Sequence, residues 1–309
     1  MKILGIGNAI VDVICKVNDS FIEQNNLTKS TMKLFFNENE FKNLLTNLKI
    51  EKTVSGGSVA NSIVGLSQLG DKVGFIGKVS DDDFGSKYEE GLKKEKVEYF
   101  YSKKKEELPT GTCLILVTPD SERTMCTFLG TAGKINENDI SLDAIKESKI
   151  IFLEGYLWDE GEPKKAFDKA INNASKVAMS LSDLFCVDRH KSHFLNLVKN
   201  KLDIIFANEQ EMTSLIEAKN FDEVINFSKQ INKLVVVTRG EKGAIAIQGQ
   251  EVVESGIIKN LKILDLTGAG DLFASGFLHG YINKFSIQES LQKGTNMSAK
   301  VIQQIGARI

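Results

Sequence analysis

Proline is scarce in this chain, with three residues in 309, and no low-complexity tract accompanies it. That leaves little room for a disordered linker, so the length accommodates one large α/β domain or two smaller ones. Cysteine is sparse too: Cys15, Cys113, Cys126 and Cys186 lie far apart and form no C-x-x-C pair. The spacing argues against a zinc or disulfide framework and fits a reducing, cytoplasmic setting. No apolar run approaches the roughly 20 residues a membrane helix needs, and Asp12 and Lys16 interrupt the first one, so neither a secretory signal nor a membrane partner is expected. An excess of one charge is also missing. Lys and Arg number 39, Asp and Glu 41, and the sequence pI is about 6.1, which makes nucleic acid and anionic membranes poor partners. What is present is ordinary for a globular protein with a sizeable core: 42% hydrophobic and 26% charged residues.

The stretch around which the chain is organised is Asp265-Leu266-Thr267-Gly268-Ala269-Gly270-Asp271, leading into the helical pattern Leu272-Phe273-Ala274-Ser275-Gly276-Phe277-Leu278. Gly268, Ala269 and Gly270 are too small to shield their backbone N–H groups. The helix adds unpaired N–H groups and the positive end of its dipole, and together these make an anion site. Asp271 stands beside that site. A carboxylate there repels phosphate, which is a poor choice for binding alone but suits a base that takes the proton of an attacking hydroxyl. The helix end favours the anion, so its pKa is expected to stay unraised. No G-x-x-x-x-G-K-[ST] occurs, which excludes a P-loop.

Upstream, Ile3 to Gly7 reads as a short strand with Gly5-x-Gly7, but Ile10 stands where a dinucleotide-binding fingerprint wants its third glycine. Ser55-Gly56-Gly57-Ser58-Val59-Ala60-Asn61 opens an amphipathic helix that Gly70 stops. Paired glycines let a ligand lie on the backbone, and Asn61 offers a donor and an acceptor to a hydroxyl-rich substrate. Asp81-Asp82-Asp83 suits the first turn of a helix better than a metal. Strand-like segments crowd residues 97–128 without intervening helices, which suggests a small antiparallel appendage. From residue 163 helices and strands alternate (helix 163–173, strand 176–180, helix 189–199, strand 203–206), the rhythm of βαβ units around a parallel sheet. His190 and His193 have metal-like spacing but no third ligand, so a solvated helix face is the expectation. Leu234 to Gly240 is an apolar strand ending in Thr238-Arg239-Gly240, and residues 286–303 form a last helix.

Four segments together resemble the ribokinase-like (PfkB) carbohydrate and nucleoside kinases, and Ser121-Glu122-Arg123-Thr124-Met125 followed by Phe128-Leu129-Gly130 is closest to the adenosine-kinase-like branch. The four are Asn8-x-x-x-Asp12, Gly56-Gly57-x-x-x-Asn61, Asn208-x-x-Glu211 and the Gly-Ala-Gly-Asp turn; Leu266 departs from the family's usual threonine. The resemblance implies a three-layer α/β/α sandwich forming a single domain over 1–309. A β lid is implied from about 11–17, 31–36 and 97–128, through which a homodimer would form if the protein is not a monomer. It implies ATP and Mg²⁺ as cofactors and Asp271 as base, with Gly268, Ala269, Gly270 and Arg123 stabilising the transferring phosphoryl group. Asn8, Asp12, Gly56, Gly57, Asn61, Leu129 and Tyr156 would bind the acceptor. Asn208, Glu211, Thr238, Gly240 and Asn296 would serve the nucleotide, Glu211 organising the metal through water. The implied activity is phosphoryl transfer to a sugar hydroxyl, foremost the 5′-OH of adenosine. A ribokinase- or fructokinase-type sugar kinase and a non-catalytic nucleotide- or sugar-binding regulator are the alternatives.

Overall fold

The computed structural model describes residues 1–46, 48–120, 122–158 and 161–309. Its strands in chain order are β1 (Ile3–Ile6), β2 (Ile10–Lys16), β3 (Met32–Phe35), β4 (Ile50–Gly56), β5 (Val73–Ile76), β6 (Glu98–Tyr99), β7 (Gly111–Val117) and β8 (Arg123–Phe128). They continue with β9 (Ile150–Glu154), β10 (Val177–Ser180), β11 (Ile204–Asn208), β12 (Leu234–Thr238), β13 (Ala244–Gln248) and β14 (Glu251–Ser255). The α-helices are α1 (Asp19–Gln24), α2 (Glu38–Thr46), α3 (Ser58–Gln68), α4 (Asp83–Lys94), α5 (Leu142–Glu147), α6 (Glu162–Asn173), α7 (Leu184–Asn200), α8 (Glu209–Ile216), α9 (Phe221–Ile231), α10 (Ala269–Ile282) and α11 (Ile287–Val301).

A nine-stranded sheet in the order β14-β13-β12-β11-β10-β9-β1-β5-β6 forms the middle layer, parallel except for β13 and β14. Its inner strands are apolar without alternation because both faces are covered. In β12, Leu234 and Val236 enter one core while Val235 and Val237 enter the other. Helices α3, α4, α10 and α11 pack into the first core and α5 to α9 into the second, which makes three layers. Burying each such Val or Ile is worth roughly 1.5–3 kcal/mol. No helix among the described residues is long and apolar enough to cross a membrane.

A second sheet of five strands, β3-β8-β7-β2-β4, forms the lid. Two of its features depart from the sequence reading. Strand β4, which the sequence pattern did not predict, is an edge strand pairing antiparallel with β2. Residues 97–101, assigned to the lid, instead supply β6 to the large sheet, parallel to β5. The spacing explains it: β5, helix α4 and β6 make one βαβ unit, whose crossover returns the chain to the same sheet. Smaller differences concern helix ends. Helix α7 begins at Leu184, because Asp183 caps it by accepting from the Cys186 N–H at 2.7 Å, and its backbone departs from helical geometry at His190. His190 is buried, with its Nε2 3.0 Å from the Arg189 Nε, so this is no solvated face. Asp82 caps α4 as its position suggested. The four cysteines are free and buried.

Candidate active site

Strand β1 sits between β9 and β5, so the order of connections reverses beside it. Open α/β sheets form their ligand crevice at such a point, beyond the C-terminal strand ends. The crevice here is a cavity of about 560 Å³ between those ends and the lid. Asn8, Glu154, Ser180, Asn208 and Thr238 line it from the large sheet; Asp12, Leu34, Ile115, Met125 and Thr127 line it from the lid.

Asp271 lies in the first turn of α10, and two early residues hold its carboxylate. Ser58 Oγ donates to Oδ1 at 2.6 Å and Asn61 Nδ2 to Oδ2 at 3.0 Å. Ser62 Oγ donates to the Asp271 carbonyl at 2.8 Å. These bonds join the helix after the paired glycines to the helix after the Gly-Ala-Gly turn. Burial raises the Asp271 pKa to about 6, against the lowering by Ser58, Asn61 and the charge of Arg308. The sequence suggested no rise; loss of water around the carboxylate outweighs the groups that favour the anion.

The turn itself has two kinds of glycine. Gly268 has φ +79°, and a Cβ there would fall 2.6 Å from the Ala307 backbone, so only glycine fits. A Cβ on Gly270 would meet nothing within 4 Å, because it faces open space. Of the three N–H groups expected to receive an anion, that of Ala269 donates to Leu266 O at 3.1 Å. Among the described residues, Gly268 and Gly270 keep theirs without a partner.

Asn8 is buried; its Nδ2 donates to Glu154 Oε1 at 2.8 Å, and its Oδ1 has no partner among the described residues. Glu154 also accepts the Val59 N–H at 3.0 Å, and burial lifts its pKa to about 7. Asp12 reaches the cleft from β2, its pKa raised to about 7 by burial in spite of Arg308. Gly56 does not line the cleft; its missing Cβ leaves room for the Asp12 carboxylate, which a Cβ would meet at 2.4 Å. Gly57 lines it with φ +99°, tight against Asn8 O. Leu129 and Tyr156 line the cleft as well.

Asn208 and Glu211 lie on the opposite wall, joined in a capping box. The Asn208 Nδ2 donates to Glu211 Oε1 at 2.6 Å and its backbone N–H to Oε2 at 3.0 Å. Both carboxylate oxygens are therefore engaged, and burial raises the Glu211 pKa to about 7. The described residues contain no group of three or more His, Cys, Asp or Glu arranged to hold a metal. Thr238 is in the cleft; Gly240 and Asn296 are not, Asn296 instead accepting from Gln292 on the same helix. Arg123 also stands outside the lining. Its Nη1 pairs with Asp265 Oδ1 at 2.7 Å, tying the lid to the base of the glycine turn.

Sequence reasoning missed Ser58, Glu154 and Arg308 as site residues. Ser58 stood in plain view beside Gly57, and Glu154 is an acidic residue ending an otherwise apolar strand, a pattern that signals a buried carboxylate. Arg308 carried no local signal.

Small residues at a helix start, an oriented carboxylate and buried polar groups on one cleft are the features that a phosphotransferase of the α/β class requires. The comparisons narrow the class. Residues 16–309 match the model of the pfkB family carbohydrate kinases. The adenosine kinase of Sinorhizobium meliloti superposes with a TM-score of 0.90 at 37% identity, over 100% of this chain and 95% of that one. A Rhizobium etli protein described as a probable sugar kinase does so with a TM-score of 0.89 at 36% identity, over 99% and 94%. The 5-dehydro-2-deoxygluconokinase of Mesomycoplasma hyopneumoniae is 28% identical over 291 residues, 87% of this chain and 84% of its own length. The chain belongs to the pfkB family. It is a sugar or nucleoside kinase, a phosphotransferase acting on a hydroxyl group.

Proposed function

We propose that the protein transfers the γ-phosphoryl group of ATP to the 5′-OH of adenosine. The observation that carries the transfer is the Asp271 carboxylate, held by Ser58 and Asn61 on the same cleft as Asn8 and Asp12. The unpartnered Asn8 Oδ1 and the Asp12 carboxylate accept hydrogen bonds from the sugar hydroxyls. Asp271 takes the proton of the attacking hydroxyl; a pKa near 6 leaves it ionised at neutral pH and better matched to that task than an ordinary aspartate. The N–H groups of Gly268 and Gly270 stabilise the phosphoryl oxygens, each such donor being worth roughly 3 kcal/mol. The open space in front of Gly270 fits an anion there. Mg²⁺, bound with ATP, supplies neutralisation of the β- and γ-phosphate charge. Glu211 would hold it through water, since both its oxygens are bonded to Asn208. Asn208 and Thr238 serve the nucleotide side, while Gly240 and Asn296 lie outside this cleft. The outer strands of the lid, β3 and β4, are the edges through which a homodimer would form.

Adenosine is favoured over a free sugar by the lid's apolar wall of Leu34, Ile115, Met125 and Leu129, with Tyr156 and Phe185 opposite, a lining suited to a planar base. The adenosine kinase among the solved structures points the same way. One observation favours a second reading. Arg189 lines the same cleft, a cation fit for the carboxylate of a sugar acid such as the one in the curated relatives' name. ADP release measured with adenosine, inosine, ribose, fructose and 5-dehydro-2-deoxygluconate decides. Adenosine should give the highest kcat/KM by at least about tenfold, the scale of a buried aromatic contact. A sugar acid in first place replaces the acceptor; adenosine binding without any turnover replaces catalysis with a regulatory role.

A further inference from the structure

The segment after α11 returns to the cleft. Gly306 N–H donates to Asp265 Oδ2 at 2.7 Å, which seats residues 306–308 against the glycine turn. Arg308 thereby reaches the acceptor side, largely buried, where its Nε donates to Asn61 Oδ1 at 3.0 Å. Asn61 passes the contact on, its Nδ2 lying 3.0 Å from Asp271 Oδ2. A guanidinium has only donors, so it compels the amide oxygen of Asn61 to face it. The amide nitrogen must then point at Asp271. Were the amide turned over, an oxygen would meet a carboxylate oxygen. The guanidinium charge also acts on Asp12, Tyr88 and Glu95 besides Asp271. The other titratable groups facing Asp271 are Asp12, Glu154 and Tyr156, and the first two are acids packed in the same buried wall.

We propose that Arg308 is a positioning residue for phosphoryl transfer: through Asn61 it fixes the direction of the Asp271 carboxylate, and its charge offsets the crowding of Asp12 and Asp271. The role rests on Asp271 being the base. It requires the positive charge, which lowers the proton affinity of Asp271 and Asp12, and the fork geometry, which sets the Asn61 amide.

The test separates these two contributions in Arg308→Met and Arg308→Lys. In ligand-free enzyme carrying ¹³Cγ-labelled aspartate, the Asp271 resonance, assigned by its loss in Asp271→Asn, is titrated. The midpoint should rise by about one pH unit or more in Arg308→Met, the usual effect of losing a nearby opposite charge, and stay close to wild type in Arg308→Lys. On the best acceptor kcat should fall about 100-fold in Arg308→Met and about tenfold in Arg308→Lys, with KM little changed, as misdirected catalytic groups do. An unmoved midpoint in folded Arg308→Met overturns the proposal. Should that variant fail to fold, Arg308→Lys decides: a wild-type kcat overturns the positioning role, and a lowered kcat with an unmoved midpoint supports it. The titration needs no acceptor, so an enzyme without turnover would overturn the kinase reading and leave this measurement intact.

Discussion

At the acceptor end of the cleft the polar groups are already committed to one another: Ser58 and Asn61 to Asp271, Asn8 and Val59 to Glu154, Arg308 to Asn61. By contrast, residues 257–266, which lead into the glycine turn, follow no helix or strand. Ile257, Ile258, Ile263, Leu264 and Leu266 stand exposed there, Leu266 to 66%. The first end is a rigid constellation that spends folding energy on direction, since burying ionisable groups is costly unless they are bonded. The second offers apolar surface and two open backbone donors. The contrast teaches that bonded, directed groups are concentrated around Asp271, while the segment before it leaves apolar surface and backbone donors open.

The largest effect expected breaks the acceptor end. Asp271→Asn should lower kcat by about 10³-fold or more, the upper part of the range for a lost general base, with adenosine binding retained by calorimetry. Normal turnover would remove the carboxylate from the mechanism. Next comes the glycine turn, which sharpens the comparison because one of its glycines is packed and the other faces open space. Gly270→Ala fills open space, so Tm should hold while kcat/KM for ATP falls about 100-fold through obstruction of the anion site. Gly268→Ala adds a clash with Ala307 at a positive φ and should lower Tm as well. Equal Tm values for the two variants would refute that division.

The smallest effect is pH dependence. Asp271, with its pKa raised to about 6, must be ionised to act, so kcat/KM should climb as pH rises through that value. Asp12 and Glu154, both near 7, titrate in the same window, and the acid limb should be steeper than one proton allows. The same shifts oppose stability. Between about pH 4 and 7 the folded chain keeps protons that the unfolded chain has released, so stability declines as pH rises through this window and levels above it. Tm measured from pH 4.5 to 8 should show the decline, and Asp271→Asn should show a shallower one. A parallel slope in the variant would mean that Asp271 titrates as an ordinary surface acid.

Much of this was legible along the chain because it is local. The βαβ rhythm after residue 163, the helix capped by Asp82 and the small residues before Asp271 each announce themselves within a few positions. What escaped was decided by partners far away in sequence. Strand β4 is charged and exposed over its first residues, so only its pairing with β2 makes it a strand. Residues 97–101 resemble the lid strands that follow, and only the crossover from α4 assigns them to the large sheet. Gly56 was read as a ligand platform, yet its work is to leave room for Asp12. Arg123 was expected at the phosphoryl group and is paired with Asp265 instead.

The sequence by itself determined the βαβ alternation after residue 163 and the small-residue turn before Asp271, because periodicity and glycine act over one or two turns of chain. Only the tertiary structure decided the state of Asp271. Burial and the distant donors Ser58, Asn61 and Arg308 set the proton affinity and direction of Asp271, and those forces exist only once residues from both ends of the chain share one wall.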